Sequence, residues 1–263
     1  MTAASRQKPA SVWRALWTRH MAVCVLIGFA SGLPLYLLLN LVPAWLRSSG
    51  VDLKMIGLFA LIQFPYTWKF LWAPLLDRYG LNFLKLGRRR GWMLVTQLGL
   101  VGAIGTLGGF DPHSQISIIM LIAAFVAVFS ATQDIALDAF RRELLSDDEL
   151  GLGNSVFVNA YRVAGLVPGS VSLILADHLP WAEVFWITAA FMLPGIFCTF
   201  WVREPGGDDL APRTLKQAVV EPFNEFIHRA GWKSALTVLA FIFCYKLGDS
   251  LCTALATPFY LDM

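Results

Sequence analysis

The chain has 263 residues, of which 57% are hydrophobic and only 15% are charged. Soluble domains carry about 25% charged residues, so this chain has too little polar surface to face water on all sides. A net charge of +3 is too small to indicate nucleic-acid binding. The composition therefore indicates an integral membrane protein.

Seven apolar segments follow one another along the chain, and each is close to the 20 or so residues that a membrane-spanning helix needs. We number them spans 1 to 7, and they cover residues 21–46, 55–76, 92–110, 115–140, 154–176, 184–202 and 234–261. None alternates polar and apolar residues with a period of two, so we predict an all-α fold.

The first twenty residues are basic and precede a long apolar run, as in a secretory signal peptide. Span 1, however, contains no charged residue, is too long for the apolar core of a signal peptide, and is not followed by a convincing cleavage site. We therefore expect residues 21–46 to be retained as the first membrane span.

Lysine and arginine are distributed very unevenly among the connecting segments. The N-terminus and the loops after spans 2, 4 and 6 hold sixteen of them, whereas the alternate loops hold only Arg47 and Lys54. Positive residues accumulate on the cytoplasmic side of short loops. The pattern predicts a multi-pass protein with a cytoplasmic N-terminus and a chain that ends outside, after span 7.

Four regions follow from this topology: a cytoplasmic N-terminus (1–20), a six-span bundle (21–202), a cytoplasmic linker (203–233) and a seventh span (234–263). Within the linker, residues 217–228 have the pattern of an amphipathic surface helix. We expect kinks at the prolines inside spans, and we expect the four cysteines to be buried apolar residues without a metal. These are Pro34, Pro65, Pro168, Pro194 and Pro258, and Cys24, Cys198, Cys244 and Cys252.

Six ionisable residues lie inside predicted spans, where charges are expensive and usually functional. They are Lys69, Asp134, Asp138, Arg162, Lys246 and Asp249. Helix rise places the first four in one layer, about 5–12 Å from the cytoplasmic ends of their spans. Lys246 and Asp249 lie deeper, about 18–22 Å into span 7.

Asp134 and Asp138 lie on one face of span 4, next to Gln133. Two carboxylates on one face in a low-dielectric setting are not both expected to ionise freely, which suits proton coupling. The alternative is a static ion-pair network with Lys69 and Arg162, or a plain pairing of Asp138 with Arg142. Lys246 and Asp249, three residues apart, either neutralise each other or line a substrate cavity.

Several motifs occur in an order that is typical of one transporter family. They are GFASGLPL (28–35), DLKMIG (52–57), KFLWAPLLDRY (69–79), GRRRGW (87–92), SATQDIALDA (130–139), YRVAG (161–165) and KLGD (246–249). In these segments the chain resembles the AmpG-type muropeptide permeases, a family within the major facilitator superfamily. Ala73 departs from the superfamily's usual glycine, and extra residues at 82–86 separate the acidic and basic halves of its signature loop.

The resemblance implies a symporter of the bacterial inner membrane. It would import glycopeptides, the 1,6-anhydro-muropeptides, with protons, for cell-wall recycling and β-lactamase induction. It also implies that Asp134 and Asp138 are the proton-linked pair. Substrate or ion-pair partners would be Lys69, Gln133, Arg162, Lys246 and Asp249, and a gating loop would contain Asp77, Arg78, Arg88, Arg89 and Arg90.

Members of this family have two six-helix bundles, whereas the sequence ends after span 7. We therefore expect an N-terminal bundle plus one span, truncated relative to a two-bundle transporter. Because an alternating-access site lies between two halves, we expect this chain to need the missing C-terminal bundle in order to transport.

Other functions were weighed against this one. A transporter of another small anionic or amphipathic solute stays open. A seven-span receptor or retinal protein, with Lys246 as the Schiff base, conflicts with the predicted topology. An intramembrane aspartyl protease using Asp134 and Asp249 conflicts with their different depths. No serine-hydrolase, zinc-protease or P-loop motif is present, so we expect no enzyme, no cofactor and no metal.

Overall fold

The computed structural model describes residues 16–59, 62, 64–81, 86–204, 224–225, 228, 231–242 and 244–245. The chain forms two compact units, Met1–Ala211 and Pro212–Met263. Throughout the described ranges the regular structure is helical, and these ranges contain no strand. The predicted all-α class is confirmed.

Four helices of the first unit are long and apolar enough to cross a membrane, and they correspond to spans 1, 4, 5 and 6. Their bounds are Arg19–Ser48, Ile116–Leu144, Leu150–Ala176 and Trp181–Trp201. Span 3 is the helix Arg88–Leu107, whose 20 residues rise about 30 Å.

Three of these spans change their helical geometry next to a proline. A π-helical turn, Leu37–Leu41, precedes Pro43 in span 1, and a second one, Val167–Val171, contains Pro168 in span 5. In span 6 the helix Trp181–Ala190 ends just before Pro194, which lies in the first turn of the next helix. Proline has no N–H to donate four residues back, so the helix widens or breaks at these positions.

Span 2, in which a kink at Pro65 was expected, is not one regular helix in its described residues. Its described residues form the short helices Leu53–Leu58, Phe64–Trp68 and Ala73–Arg78, with a 3-10 turn at Lys69–Leu71. Pro65 and Pro74 each lie in the first turn of one of these helices. Proline is well suited to a helix start and poorly suited to a helix interior. The expected change at Pro65 is thus accompanied by a second interruption at Lys69–Leu71, which was not predicted.

The start of span 1 and the loops after spans 2, 4 and 6 meet at one end of the bundle. We call this the basic end; it contains Arg19, Arg89, Arg142 and Glu204. Arg19 donates to the backbone oxygen of Trp201 at 3.0 Å, which joins the start of span 1 to the end of span 6. The charged loops predicted to share one side of the membrane therefore share one end of the molecule.

Spans 1 and 5 approach each other more closely than side chains would allow. A Cβ atom placed at Gly28 or Gly32 would clash with the backbone carbonyl oxygens of Phe157 and Tyr161, respectively. Two small residues four apart on one helix are typical of such close crossings in membranes. The glycines therefore allow span 5 to pack directly on span 1, next to Ser31.

Many large apolar side chains on the outside of the first unit are exposed. Leu121, Ile174 and Phe197, for example, are 58%, 62% and 63% exposed. A water-soluble surface rarely carries so many exposed large apolar residues. The bundle surface therefore suits contact with lipid or with further protein.

In the second unit, the described helix is Gly231–Ile242. It covers only the beginning of the predicted span 7, and most of the predicted linker and its surface helix lie outside the described residues. Cys24 and Cys198 are buried as predicted, whereas Cys244 is exposed, so burial was wrongly predicted for this cysteine. Cys252 and Pro258 lie outside the described residues.

Candidate functional site

Asp134 lies in the middle of a polar patch formed by spans 1, 2 and 4. Its side chain is 12% exposed. The Ser31 hydroxyl donates to one carboxylate oxygen at 2.6 Å. The Lys69 ammonium lies 3.7 Å from the other oxygen. The Asp134 carboxylate is thus largely shielded from water, and its polar partners are the Ser31 hydroxyl and the Lys69 ammonium group.

Lys69 lies at a point where the helix of span 2 is interrupted. The residue begins the 3-10 turn Lys69–Leu71, between two short helices. Three residues later the Trp72 indole N–H donates to the Thr132 hydroxyl of span 4 at 3.2 Å. The Lys69 side chain is 34% exposed, so it contacts both the carboxylate and the surroundings of the bundle.

Gln133, the neighbour of Asp134, is completely buried and points toward span 1. Its side-chain amide donates to the Ala30 backbone oxygen at 2.9 Å. Its side-chain oxygen has no hydrogen-bond partner among the described residues. Gln133 therefore links span 4 to span 1 through a buried hydrogen bond, and its side chain is not exposed at the surface of the Asp134 patch.

Asp138 lies in different surroundings from Asp134. Its side chain is 49% exposed and pairs with Arg141, three residues further along span 4, at 3.0 Å. The pairing with Arg142 that was considered from the sequence is not formed, because Arg142 pairs with Asp147 at 3.1 Å. The two carboxylates of span 4 thus have separate cations.

Arg162 is exposed on span 5 and has no ion-pair partner within the part of the chain that the structure describes. Tyr161, just before it, meets Tyr36 of span 1 edge to face, with ring centroids 5.6 Å apart. The structure therefore brings together Lys69 and Asp134, while Arg162 stands apart from this pair. Lys246 and Asp249 lie outside the described residues.

The loop predicted to act as a gate forms a dense ion cluster at the basic end. Arg89 is 7% exposed and bonds both Asp77, at 2.6 Å, and Glu143, at 3.0 Å. Arg88 bonds Glu143 at 3.4 Å and the Asp77 backbone oxygen. Arg78 lies over an aromatic ring instead, and its guanidinium carbon is 5.2 Å from the centre of the Tyr79 ring.

Glu204, just after the end of span 6, belongs to the same cluster. Its carboxylate accepts from the backbone N–H groups of Arg89, at 2.6 Å, and Arg90, at 3.1 Å. These are unsatisfied donors at the start of the span 3 helix, where a negative charge is stabilised. Gly87, with a φ of 99°, leaves room for this side chain. Arg90 in turn donates to the carbonyl oxygen of Thr199 at 2.8 Å.

Sequence reasoning missed three residues that complete these sites. Ser31 carries no charge, and only its position beside Gly32 in a helix–helix contact could have marked it. Glu143 and Glu204 follow apolar segments and look like ordinary solvated acids. Their spacing from the arginine run, more than fifty residues, gave no local signal of pairing.

Comparison with known proteins identifies the family of this chain. A family model described as Major Facilitator Superfamily matches residues 24–262. The chain belongs to the Major Facilitator Superfamily. Within the superfamily the chain is 41% identical to the anhydromuropeptide permease of Escherichia coli (strain K12), over 91% of its own length and 48% of that protein.

Two further relatives extend the comparison. An uncharacterized protein of Haemophilus influenzae is 48% identical over 94% of the chain and 58% of that protein. The putative transporter AmpG 3 of Rickettsia prowazekii is 31% identical over 91% and 59%. The chain therefore spans about half the length of the curated relatives it matches. The resemblance to AmpG-type permeases that the motifs indicated is confirmed.

Proposed function

We propose that this chain forms the N-terminal half of a proton-coupled permease that imports anhydro-muropeptides, and that a second six-helix bundle completes its transport site. The observation that carries the proposal is Asp134, a carboxylate withdrawn from water and held by Ser31 and Lys69. The substrate class rests on the similarity to the anhydromuropeptide permease of Escherichia coli. Transport, and no enzymatic reaction, is the proposed activity.

Asp134 is the proposed proton carrier. A carboxylate that exchanges its proton needs a partner for each state. Lys69 stabilises the ionised form, and the hydroxyl of Ser31 can rotate to accept a hydrogen bond from the protonated form. Asp138, half exposed and paired within its own helix, lacks this switchable environment, so we assign coupling to Asp134 alone.

Arg162 is the proposed contact for the anionic groups of the substrate. It is exposed on span 5 beside the Tyr36–Tyr161 aromatic pair, and it has no counterion among the described residues. A guanidinium group binds carboxylates with two parallel hydrogen bonds. Another small anionic solute would meet the same group, which makes such a solute the second candidate.

Uptake of labelled anhydro-muropeptide tests the proposal. The protein is a chimera in which residues 1–204 replace the corresponding part of the Escherichia coli permease, expressed in cells that lack their own permease. We expect accumulation that a protonophore abolishes, at least a tenfold loss in Asp134→Asn, and more than half of the uptake in the control Asp138→Asn.

Exchange across the membrane separates coupling from binding. Substrate counterflow needs no net proton movement, so Asp134→Asn is expected to retain exchange while it loses accumulation. Loss of both would assign Asp134 to substrate binding and contradict the coupling role. Accumulation of unrelated anions but not of muropeptide would favour the second candidate.

We also propose that the basic end faces the cytoplasm of a bacterial inner membrane. Support comes from the clustering of Arg19, Arg89 and Arg142 at one end, because positive residues are retained on the cytoplasmic side. Alkaline phosphatase is active only outside the cytoplasm. Fusions are therefore expected to be active after Ser48 and inactive after Glu204, and the reverse pattern would overturn the orientation.

A further inference from the structure

Two apolar pockets lie on either side of span 1 near the basic end. One, of about 400 Å³, continues toward span 5, between Phe29 and Val163. The other, of about 520 Å³, continues toward span 6, where Phe197 and Trp201 line it. Both pockets share Leu16 and Val25, so they adjoin each other on the two sides of one helix, and we call the two together the forked groove.

On the span 5 side, the groove extends along span 1 by about the depth of one leaflet of a bilayer. From Arg19 to Phe29 the helix rises about 15 Å. The hydrocarbon core of a membrane is about 30 Å thick, so one leaflet fills about the same depth. Acyl chains entering from the basic end would therefore find a groove of suitable length.

The groove is lined mainly by apolar side chains, and its few polar residues are Thr18, Ser155 and Asn159. Ser155 and Asn159 lie on the span 5 side, and both bond the backbone of their own helix. The Ser155 hydroxyl donates to the Gly151 carbonyl at 3.1 Å, and the Asn159 amide donates to the Ser155 carbonyl at 2.8 Å. The groove therefore suits saturated hydrocarbon.

The mouth of the groove is cationic and aromatic. The Arg19 guanidinium lies 4.8 Å from the centre of the Trp201 ring and donates to the Trp201 backbone oxygen at 3.0 Å. These contacts fix the group at the edge of the span 6 pocket and leave other N–H donors free. Arg203 is exposed and follows Trp201 by two residues in the chain. Trp17 is 88% exposed, and tryptophan is a residue type that is common at membrane interfaces.

We infer that this groove is a binding site for an anionic diacyl phospholipid of the leaflet at the basic end. Its two acyl chains occupy the two pockets on either side of Val25, and its phosphate meets Arg19 and Arg203. The forked shape selects a ligand with two chains, and the cationic mouth selects a negative headgroup. The inference is independent of the transported substrate.

Native mass spectrometry of the purified 263-residue chain tests this site. The probes are phosphatidylglycerol and phosphatidylcholine with identical acyl chains, added separately to the detergent-solubilised protein. We expect one phosphatidylglycerol to be retained, with an affinity at least fivefold above that of phosphatidylcholine. Each arginine near a headgroup contributes roughly a factor of five to this preference.

Three variants locate the binding. Arg19→Gln with Arg203→Gln is expected to remove the preference while weak binding of both lipids persists. Val25→Trp fills the shared part of the groove and is expected to reduce binding of both lipids at least tenfold. The control Arg142→Gln removes an exposed arginine elsewhere at the basic end and should leave the preference unchanged.

A second measurement uses the fluorescence of a tryptophan that lines the span 6 pocket. Phosphatidylglycerol brominated on its acyl chains quenches nearby tryptophans, and replacing Trp201 by Phe is expected to remove part of that quenching. Equal retention of the two lipids by the unmodified chain, or an effect of Arg142→Gln as large as that of the double variant, would overturn the proposal. Unchanged quenching in the Trp201 variant would overturn it as well.

Discussion

The Asp134 patch and the Arg89 cluster are both groups of opposite charges, yet they are built in opposite ways. Asp134 has one cation at 3.7 Å and one hydroxyl, and its cation is partly open to solvent. Arg89 is enclosed by two carboxylates and bonds both within 3.0 Å. The first arrangement can lose or gain a proton without leaving an enclosed charge unpaired. The second cannot, and therefore acts as a fixed junction.

Substituting the buried arginine tests the junction. In Arg89→Met, Asp77 and Glu143 lose their principal cation, and we expect a loss of about 3–5 kcal/mol in the free energy of unfolding. Thermal unfolding in detergent, followed by helical circular dichroism, measures this. The control Arg142→Met breaks a pair whose side chains are 63% and 86% exposed, and we expect a change of at most about 1 kcal/mol. Equal effects would remove the distinction between buried and exposed pairs.

The glycine contact that supports the Asp134 patch is expected to be nearly as sensitive. In Gly32→Ala the new methyl group meets the Tyr161 carbonyl oxygen, and we expect a loss of about 1–3 kcal/mol in unfolding free energy. Gly102→Ala in span 3 is the matched control, because its Cβ would meet no atom within 4 Å. Stability of the control should be unchanged or slightly higher, and a similar loss in both variants would contradict the close contact.

Neutralising Asp134 should have little effect on stability. In Asp134→Asn the Ser31 hydroxyl keeps an acceptor, and Lys69, 34% exposed, can turn toward solvent. We expect the free energy of unfolding to stay within about 1 kcal/mol of the unmodified chain, because the cost of burying the charge disappears along with the ion pair. A loss as large as that of Arg89→Met would show that Asp134 is a structural anchor.

The smallest effect is a dependence on pH at Glu149, between spans 4 and 5. Burial acts to raise the pKa of Glu149, but hydrogen bonds from Ser146 and an interaction with His20 outweigh it, and the pKa is lowered. The resulting stabilisation is complete above the ordinary carboxylate pKa, about 4.3, and is lost as pH falls through the folded-state value.

Unfolding midpoints at pH 6.5 and pH 3.5 would measure this contribution. We expect the decrease between them to be smaller in Glu149→Gln than in the unmodified chain, by less than about 1 kcal/mol. A larger decrease in Glu149→Gln would have the wrong sign for a carboxylate whose pKa is lowered on folding.

Much of the fold and part of the site could be predicted from the sequence. Apolar length identified spans 1, 4, 5 and 6, and counting residues from the span ends placed Lys69 and Asp134 at similar depth. A kink at Pro65 in span 2 was expected, but the interruption at Lys69–Leu71 was not predicted, because Pro74 was not considered. Glu204 was missed because its partners are backbone N–H groups, which no side-chain pattern reveals.

The broken second span has a consequence for the order of biosynthesis. Its described helices, Leu53–Leu58, Phe64–Trp68 and Ala73–Arg78, are each far shorter than the 20 or so residues that cross a bilayer. Inside a membrane no water is available to bond backbone groups that a helix leaves free. Two polar contacts of its described residues are with span 4: Trp72 donates to Thr132, sixty residues later in the chain, and Lys69 pairs with Asp134. Span 2 therefore leaves the ribosome well before its partners exist, and it can settle into its final form only after span 4 has followed it into the membrane.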